Sequence, residues 1–396
     1  MKFMKLLARI YLILFITSCN NIEDNLYLID PRKFGEDIIF LSEIAEDIKY
    51  IPLDNSISFT NFKYLLTSNA IYVSAKDIGI LKFNLEGSLI KKIGARGKGP
   101  GEFWYGMAFA VDDVNENVYV LDPRKITVYS PSGTHVRDIM IKEYGGGFGF
   151  SDLIVFNSLL FLPDYLPTGD SEYSWVLLDT LGHPVSKKRN SIPHFQSGIE
   201  TEGCIYKFGN QVFYYNYFND TIFSISSNLS YSGQYLFAQG DYRWPRERIV
   251  VTPQSLNTQF NRLFRPVKMF ETNKYIFLEY SYLEKWAIAI IDKKSKKSFL
   301  SLRYEKTSNG FVVPRACLLN DLDGGISIGS INYHNNGNNE FITALLDPFQ
   351  LKSYVATDSF KKSNPKYPEK KKELEKLAHN LKETDNPILV LVSLKK

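Results

Sequence analysis

The chain has 396 residues, a formal net charge of +4 and an aromatic content of 14%. This near balance of charge, together with the lack of a basic stripe interleaved with aromatic residues, argues against a nucleic-acid-binding protein. The length supports one large hydrophobic core, and although two domains would also fit, no Pro/Ser/Gly-rich linker divides the sequence.

The N-terminus predicts an export signal. Basic residues precede an apolar run from residue 10 to residue 16, which is too short to span a bilayer. The run ends at Ile-Thr-Ser-Cys, residues 16–19, which resembles the lipobox of bacterial lipoproteins. A plain secretory signal is the alternative. We expect residues 1–18 to be a lipoprotein signal peptide and Cys19 to be the site of lipid attachment.

Residues 19–40 are predicted to form a tether between the lipidated cysteine and the fold. Glu23 and Asp24 resemble the acidic export tags of Bacteroides-type surface lipoproteins. Two acidic residues leave both the periplasmic and the surface face open. We therefore expect a protein that is lipid-anchored to the outer membrane of a Gram-negative bacterium.

From residue 62 onward the sequence repeats one pattern of strands. A strand of mixed character precedes two strongly apolar strands, such as residues 71–73 and 80–83, and a more polar strand follows. Turns such as Glu86-Gly87 supply the positive φ of a tight hairpin. Four strands per unit at a spacing of roughly 40–60 residues are typical of β-propeller blades. Six units fit, whereas a β-sandwich has no reason to repeat such a unit.

The two ends of the chain predict how the ring closes. Residues 48–53 and 387–394 are strong strands, and pairing them would remove two open edges. In the preferred assignment, residues 311–331 supply the inner strands of blade six, 387–394 adds one and 48–53 is outermost. In the competing count, residues 341–355 form the third and fourth strands and the terminal strands are surplus. Either way, residues 41–396 form a single all-β propeller domain of six four-stranded antiparallel blades.

One helix is predicted in this domain, as a short insertion over about residues 366–384. Pro368 opens it, and Leu374, Leu377, Ala378 and Leu381 recur at i, i+3, i+4 and i+7. Such a stripe usually packs on its own domain, and a partner-binding helix is the alternative.

The connector between the first two units carries a family resemblance. Residues 93–103 end in Gly-Pro-Gly-Glu-Phe, and residues 112–122 continue with Asp, Asn, Tyr-Val and Asp. This order is similar to NHL-type propellers, although the later units lack the Gly-rich connector. Residues 41–53, 219–223 and 385–390 resemble the six-bladed β-propeller lipoproteins of Bacteroides-type gut bacteria. The resemblance implies the fold and an envelope location, and it implies no particular activity.

The same connector is a candidate anion site. Arg96 and Lys98 add positive charge to the Gly-rich backbone. However, a phosphate cradle precedes a helix, and a strand follows here. The simpler interpretation is a tight crossover, in which Phe103 packs and Glu102 bonds backbone groups. An electropositive rim for an anionic ligand is the alternative.

Aromatic side chains in connectors are candidates for stacking on sugars or peptides. Trp104 and Trp244 both fall between blades, and arginines surround the second. Most other aromatics, including Trp175, Tyr214 and Tyr215, are assigned to strand and core packing. The predicted ligand-binding residues are Arg96, Lys98, Trp104, Arg243, Trp244 and Arg246.

No catalytic or metal-binding residues are predicted. The five histidines are scattered, and four aspartates are better explained as turn residues that bond backbone donors. These are Asp112, Asp122, Asp179 and Asp292. Cys204 and Cys317 are assigned to the first strands of blades four and six, which do not adjoin, so a disulfide is not expected. No cofactor is predicted.

These features favour a non-catalytic binding scaffold at the cell envelope. Blade loops and the channel mouth would recognise an envelope protein, a peptide or a glycan, in that order, and the lipid anchor alone would contact the membrane. The alternative is a metal-dependent propeller enzyme, similar to lactonases or lyases, with a channel metal such as calcium. A plugged channel favours the scaffold, and clustered carboxylates or histidines with bound metal favour the enzyme.

Overall fold

The fold is a six-bladed β-propeller. The computed structural model describes residues 26–60, 62–104, 106, 108–144, 150–164, 171–191, 203–216, 219–243, 261–306 and 312–396. Six sheets of at least four strands form the blades, each built around four antiparallel strands, and the innermost strands of successive blades contact one another around a central channel. The predicted fold class is confirmed.

In blades one to three, the strands follow one another from the inside of the blade to the outside. The chain begins with β1 (Tyr27–Ile29), a 3-10 turn (Pro31–Lys33), helix α1 (Leu41–Ile44) and β2 (Ala45–Pro52). Blade one contains β3 (Phe62–Leu66), β4 (Ile71–Ala75), β5 (Gly79–Phe83) and β6 (Leu89–Ile93). Blade two contains β7 (Ala108–Val111), β8 (Val118–Leu121), β9 (Lys125–Tyr129) and β10 (His135–Met140). Blade three contains β11 (Ile154–Phe156), β12 (Leu159–Pro163), β13 (Tyr173–Asp179) and β14 (Pro184–Arg189).

The remaining blades depart from this simple meander. Blade four contains β15 (Gly203–Phe208), β16 (Gln211–Asn216), β17 (Thr221–Ser226) and β18 (Tyr231–Phe237). Blade five contains β19 (Arg265–Glu271), β20 (Tyr275–Tyr282), β21 (Lys285–Asp292), β22 (Ser298–Lys306) and a fifth strand, β23 (Val312–Ala316). Blade six starts with β24 (Asn332–Asn335) and β25 (Glu340–Leu346). Three helices follow, α2 (Pro348–Val355), α3 (Asp358–Lys362) and α4 (Pro368–Asn380), and then β26 (Ile388–Leu394).

The core lies between neighbouring blades. Ile71, Tyr72 and Val73 in β4 are all fully buried, although their side chains alternate between the two faces of the sheet. Each middle strand is covered on both faces because its blade packs between two others. This explains why these strands are continuous apolar runs, whereas the outer strand β6 alternates in burial.

The two chain ends close the ring, as predicted. The C-terminal strand β26 lies between β25 and β2, and Val392 is paired with Ile342 on one side and Ile48 on the other. The N-terminal strand β2 is therefore the outermost strand of blade six. The turn at Gly87 of blade one packs directly on this strand. A Cβ there would lie 2.1 Å from the Pro52 carbonyl oxygen, so only glycine fits.

The predicted inner strands of blade six were wrong. Residues 312–316 pair with β22 and extend blade five, because β22 runs nine residues and leaves a free edge beyond its pairing with β21. The inner strands of blade six are instead β24 and β25. The competing count was also wrong, since β25 is the second strand and residues 348–355 are helical.

The helical insertion is larger than predicted. The predicted helix is α4, with Pro368 in its first turn, and it packs on its own domain through buried Leu374 and Ala378. Helices α2 and α3 were missed. None of the helices in the described ranges is long and apolar enough to cross a membrane.

The described part of the predicted tether, residues 26–40, is packed against the propeller. Strand β1 pairs in parallel with β18 and becomes the fifth strand of blade four. Ile38 and Phe40 form single bridges to Leu300 and Leu319 on the way to α1. The N-terminal segment thus follows the perimeter from blade four to blade six. Residues 1–25, with the signal peptide and Cys19, lie outside the described residues.

The two faces of the ring differ in which connectors they carry. Since successive strands of a blade alternate in direction, all innermost strands begin at one face, which we call the upper face. The connectors between blades reach the same face, because each outermost strand ends there. The opposite face is the lower face. It carries the hairpin turns after the first and third strands of a blade, such as Glu86-Gly87.

Candidate functional site

The Gly-rich connector between blades one and two is held by its own side chains. Glu102 accepts a hydrogen bond from the Gly99 backbone N–H at 2.8 Å. Phe103 is buried and meets the Tyr129 ring edge-on, with the ring centroids 6.5 Å apart. Strand β7 follows, so no helix N-terminus faces these amides. The crossover interpretation is confirmed, and the connector lacks the geometry of a phosphate cradle.

Three of the predicted ligand-binding residues meet on this connector, and we call them the rim patch: Arg96, Lys98 and Trp104. Arg96 Nε donates to the Trp104 carbonyl oxygen at 3.0 Å, and Lys98 Nζ lies 5.9 Å from the centre of the Trp104 ring. Trp104 is 54% exposed. Arg96 also forms an ion pair with Asp77, which reduces the positive potential of the patch.

Arg243 is separated from this surface. Its side chain is buried and forms an ion pair with Asp220 at 2.9 Å. The guanidinium lies over the rings of Phe237 and Phe264, at 5.2 and 5.6 Å from their centres. These contacts make Arg243 a residue of the core beside blade four. Trp244 and Arg246, predicted with it, lie outside the described residues.

The upper part of the central channel is crossed by charges from alternate blades. Asp152 of blade three interacts electrostatically with Lys63 of blade one and Lys268 of blade five. Burial raises the pKa of Asp152, and the two lysines oppose this shift. Burial lowers the pKa of Lys268, which donates to the Asn332 side chain of blade six. Residues of non-adjacent blades can meet only at the centre of the ring.

A second layer of charge crosses the lower mouth, and it comes from the other three blades. Lys207 of blade four forms a 2.9 Å ion pair with Asp113 of blade two. His334 of blade six interacts with both, and burial lowers the pKa of this imidazole. An ion pair therefore crosses the lower mouth of the channel, and charges of opposite sign from different blades face one another in its upper part.

The channel and turn acids do not form a metal site. Asp112, Asp179 and Asp292 each accept a backbone N–H two residues further along the chain, at 2.9 to 3.0 Å. Asp122 accepts the backbone N–H groups of Trp104 and Gly106 and fixes the rim patch. The aspartates thus act as turn and connector residues, as predicted. Within the described ranges, no group of three or more His, Cys, Asp or Glu residues is arranged to hold a metal ion.

A cleft between blades five and six, on the upper half of the molecule, was not predicted from the sequence. It encloses about 230 Å³. Blade five contributes Arg303, Glu305, Arg315 and Cys317, and blade six contributes apolar side chains of β25 and β26. The cleft exists because β24, the innermost strand of blade six, is short and begins only at Asn332. Residues 326–330, which precede it, line the cleft without pairing as a strand along the upper end of β25.

Two weakly acidic side chains, Cys317 and Tyr50, line this interblade cleft. Cys317 is a free thiol whose pKa burial raises to about 11. It follows β23 at the edge of blade five, not the first strand of blade six as predicted. Tyr50 also lines the cleft, and behind it Asp323 is fully buried and accepts hydrogen bonds from Asn320 and the Gly325 N–H. Burial raises the pKa of Asp323.

Nearly the whole chain matches one protein family. A profile described as a domain of unknown function, DUF4934, matches residues 28–393. The chain belongs to the DUF4934 family. A comparison of this DUF4934 chain with curated proteins finds no significant match.

Solved structures agree on the fold of the DUF4934 chain. The protein named "Putative exported protein (BF0058)", from Bacteroides fragilis NCTC 9343, superposes with a TM-score of 0.65 at 20% identity, covering 93% of this chain and 100% of that one. A DUF4221 family member from Bacteroides vulgatus ATCC 8482 gives a TM-score of 0.45 at 11% identity, covering 89% and 97%. The first likeness shows the fold alone, and the second is too weak to support an argument.

Proposed function

We propose that this chain is a non-catalytic binding scaffold, lipid-anchored through Cys19 at the outer membrane of a Gram-negative bacterium. It recognises an envelope protein, a peptide or a glycan through the upper face. The charged layers in the channel carry this proposal, because Asp152 interacts electrostatically with both Lys63 and Lys268, and Lys207 forms an ion pair with Asp113. Because charged side chains face one another across the channel, we expect a ligand to be recognised by the connectors between blades and by clefts on the rigid ring.

The proposed location is supported by the N-terminal sequence and by the exported-protein name of the similar Bacteroides fragilis structure. No observation in the described residues favours the metal-dependent enzyme, whose channel site would need a cluster of ligands.

Lipid anchoring is tested by comparing the full chain with its Cys19→Ser variant in a Bacteroides-type host. We expect the wild-type chain to incorporate labelled palmitate and to sediment with outer membranes. The variant would lose both properties. Equal membrane recovery and equal labelling of the two proteins would refute the anchor.

Recognition by the upper face is tested with a photo-crosslinking amino acid at position 104, in the rim patch. The same amino acid at position 338, in the exposed lower-face turn between β24 and β25, is the control. We expect one defined envelope adduct from position 104 and none from position 338. Identical adducts from both positions would refute upper-face recognition. Glycan and peptide screens that do not change in Trp104→Ala and Trp244→Ala would remove the aromatic rings from the proposed site.

A further inference from the structure

Two arginines of blade five lie close together at the interblade cleft. Arg303 and Arg315 are directly opposite each other in the β22–β23 pair. Like charges directly opposite each other destabilise a sheet. Both side chains line the same cleft, so the repulsion is concentrated at its rim.

Among the described residues that line the cleft, one carboxylate pairs with both arginines. Glu305, two residues beyond Arg303 on the same face of the strand, forms an ion pair with Arg303 through one oxygen. Its other oxygen lies 3.5 Å from Arg315 Nε. Each guanidinium carries five N–H donors, so the pair offers far more donors than one carboxylate accepts. The rim keeps a net positive charge and has room for a second anion.

The cleft is small and its lining is mixed, with apolar side chains beside the charged and polar ones. Ile326 and Ile328 lie on one side, and Leu346 and Val390 come from blade six. Its volume of about 230 Å³ is below the range of roughly 300–1,000 Å³ typical of drug-sized ligands. The cleft is therefore large enough only for a small molecule or the end of a chain, and it offers both charged groups and apolar side chains to it.

We propose that the interblade cleft binds the carboxylate of a small apolar molecule, with the carboxylate on Arg303 and Arg315 and the apolar part against Ile326 and Val390. A peptide C-terminus and a free organic acid share this chemistry. The inference rests on the proposed binding function and names the ligand class for one site on the upper face.

The test uses the full chain with N-acetylvaline and its neutral amide, N-acetylvalinamide, measured by ligand-observed NMR and calorimetry. Hydrogen bonds to charged groups contribute about 1.5–3 kcal/mol. We therefore expect the amide to bind about 10- to 100-fold more weakly than the acid. Equal binding of the two probes, or no binding of the acid at millimolar concentration, overturns the proposal.

Three variants localise the binding. Arg315→Met keeps the aliphatic stem and removes the charge, so it should weaken N-acetylvaline at least about tenfold. Gly329→Leu narrows the cleft without changing its charge. A Cβ at this position would meet only the Ala316 carbonyl oxygen, at 3.5 Å. We therefore expect this variant to fold and to bind N-acetylvaline more weakly. Arg262→Met is the matched control, because Arg262 is exposed and also pairs with a glutamate, Glu284, at 3.3 Å. An equal loss in the control overturns the proposal.

Butyrate distinguishes the two sources of the carboxylate. Binding of butyrate as tight as that of N-acetylvaline supports a free organic acid, whereas tighter binding of N-acetylvaline supports a peptide end. Failure of this test is distinct from failure of the proposed function. If the acids do not bind while the crosslink at position 104 persists, only the cleft inference falls. If the acids bind and no envelope adduct forms, the cleft inference stands without the proposed partner.

Discussion

The closure of the ring gives the sharpest stability prediction, because one side chain joins the two ends of the chain. Asn386 precedes β26 and is 3% exposed. Its Nδ2 donates to the carbonyl oxygens of Asp54 and Ile57 at 2.6 and 2.8 Å, and its Oδ1 accepts the Phe59 N–H at 3.2 Å. Asn386 therefore holds the loop after β2 against the start of β26.

Asn386→Ala removes all three hydrogen bonds and leaves the buried Phe59 N–H without this acceptor. At about 1 kcal/mol for each hydrogen bond, and more where a buried group stays unpaired, we expect a loss of about 3–5 kcal/mol in the free energy of unfolding. The measurement is equilibrium urea unfolding followed by tryptophan fluorescence. Hydrogen exchange should show the largest loss of protection in β2 and β26, because these strands depend on the closure.

Two further variants control this reasoning. Asn338→Ala alters an exposed turn asparagine and should change stability by no more than about 0.5 kcal/mol. Asn386→Asp keeps an acceptor for Phe59 but faces two carbonyl oxygens with a charged group. It should be at least as destabilising as alanine at pH 7 and less so near pH 4, where the protonated carboxyl regains a donor. A loss below about 1 kcal/mol in Asn386→Ala, or unchanged protection of β2 and β26, would refute the role of Asn386.

Three more variants test the packing of the described residues, each by urea unfolding. Gly101→Ala should cost about 1–3 kcal/mol more than Gly209→Ala, because both glycines have positive φ but only at Gly101 would a Cβ lie 2.8 Å from His135; equal losses would contradict this. Arg243→Met should cost about 3–5 kcal/mol by removing one partner of the buried ion pair with Asp220, whereas Arg96→Ala at the surface should cost less than about 1 kcal/mol; a small loss for Arg243→Met would contradict its buried role. Asp323→Asn should gain stability relative to the wild type as the pH rises above about 4, because a folded-state pKa raised above its unfolded value makes the wild type lose stability as the pH rises from the unfolded to the folded value; a difference that does not change with pH would contradict this.

The repeated strands were predictable because each signal is local. The apolar run Ile71–Val73 and the turn at Glu86-Gly87 identify a blade from a few neighbouring residues, and repetition then gives the ring. The same reasoning failed for blade six. Its innermost strand reads Asn-Tyr-His-Asn, a polar sequence that pairs because β25 offers an edge. Strand β23 likewise pairs only because β22 is unusually long.

The candidate site was predicted only in part. Arg96, Lys98 and Trp104 are close in sequence, and they meet on one connector. Arg243 looked like a neighbour of the same surface, yet Asp220 and two aromatic rings hold it in the core. No pattern in a single segment distinguishes an exposed arginine from one that is paired by residues of another strand.

The repeat, the hairpin turns and the strands at both termini can be read from short segments, because backbone propensity, burial pattern and turn chemistry act over a few residues. The layers of charge in the channel and the cleft between blades five and six arise instead from how distant segments pack together. Lys63, Asp152 and Lys268 are far apart along the chain and meet because the ring brings alternate blades to one axis. Arg303 and Arg315 face each other because β23 pairs with blade five, and that choice depends on which strand edge is free.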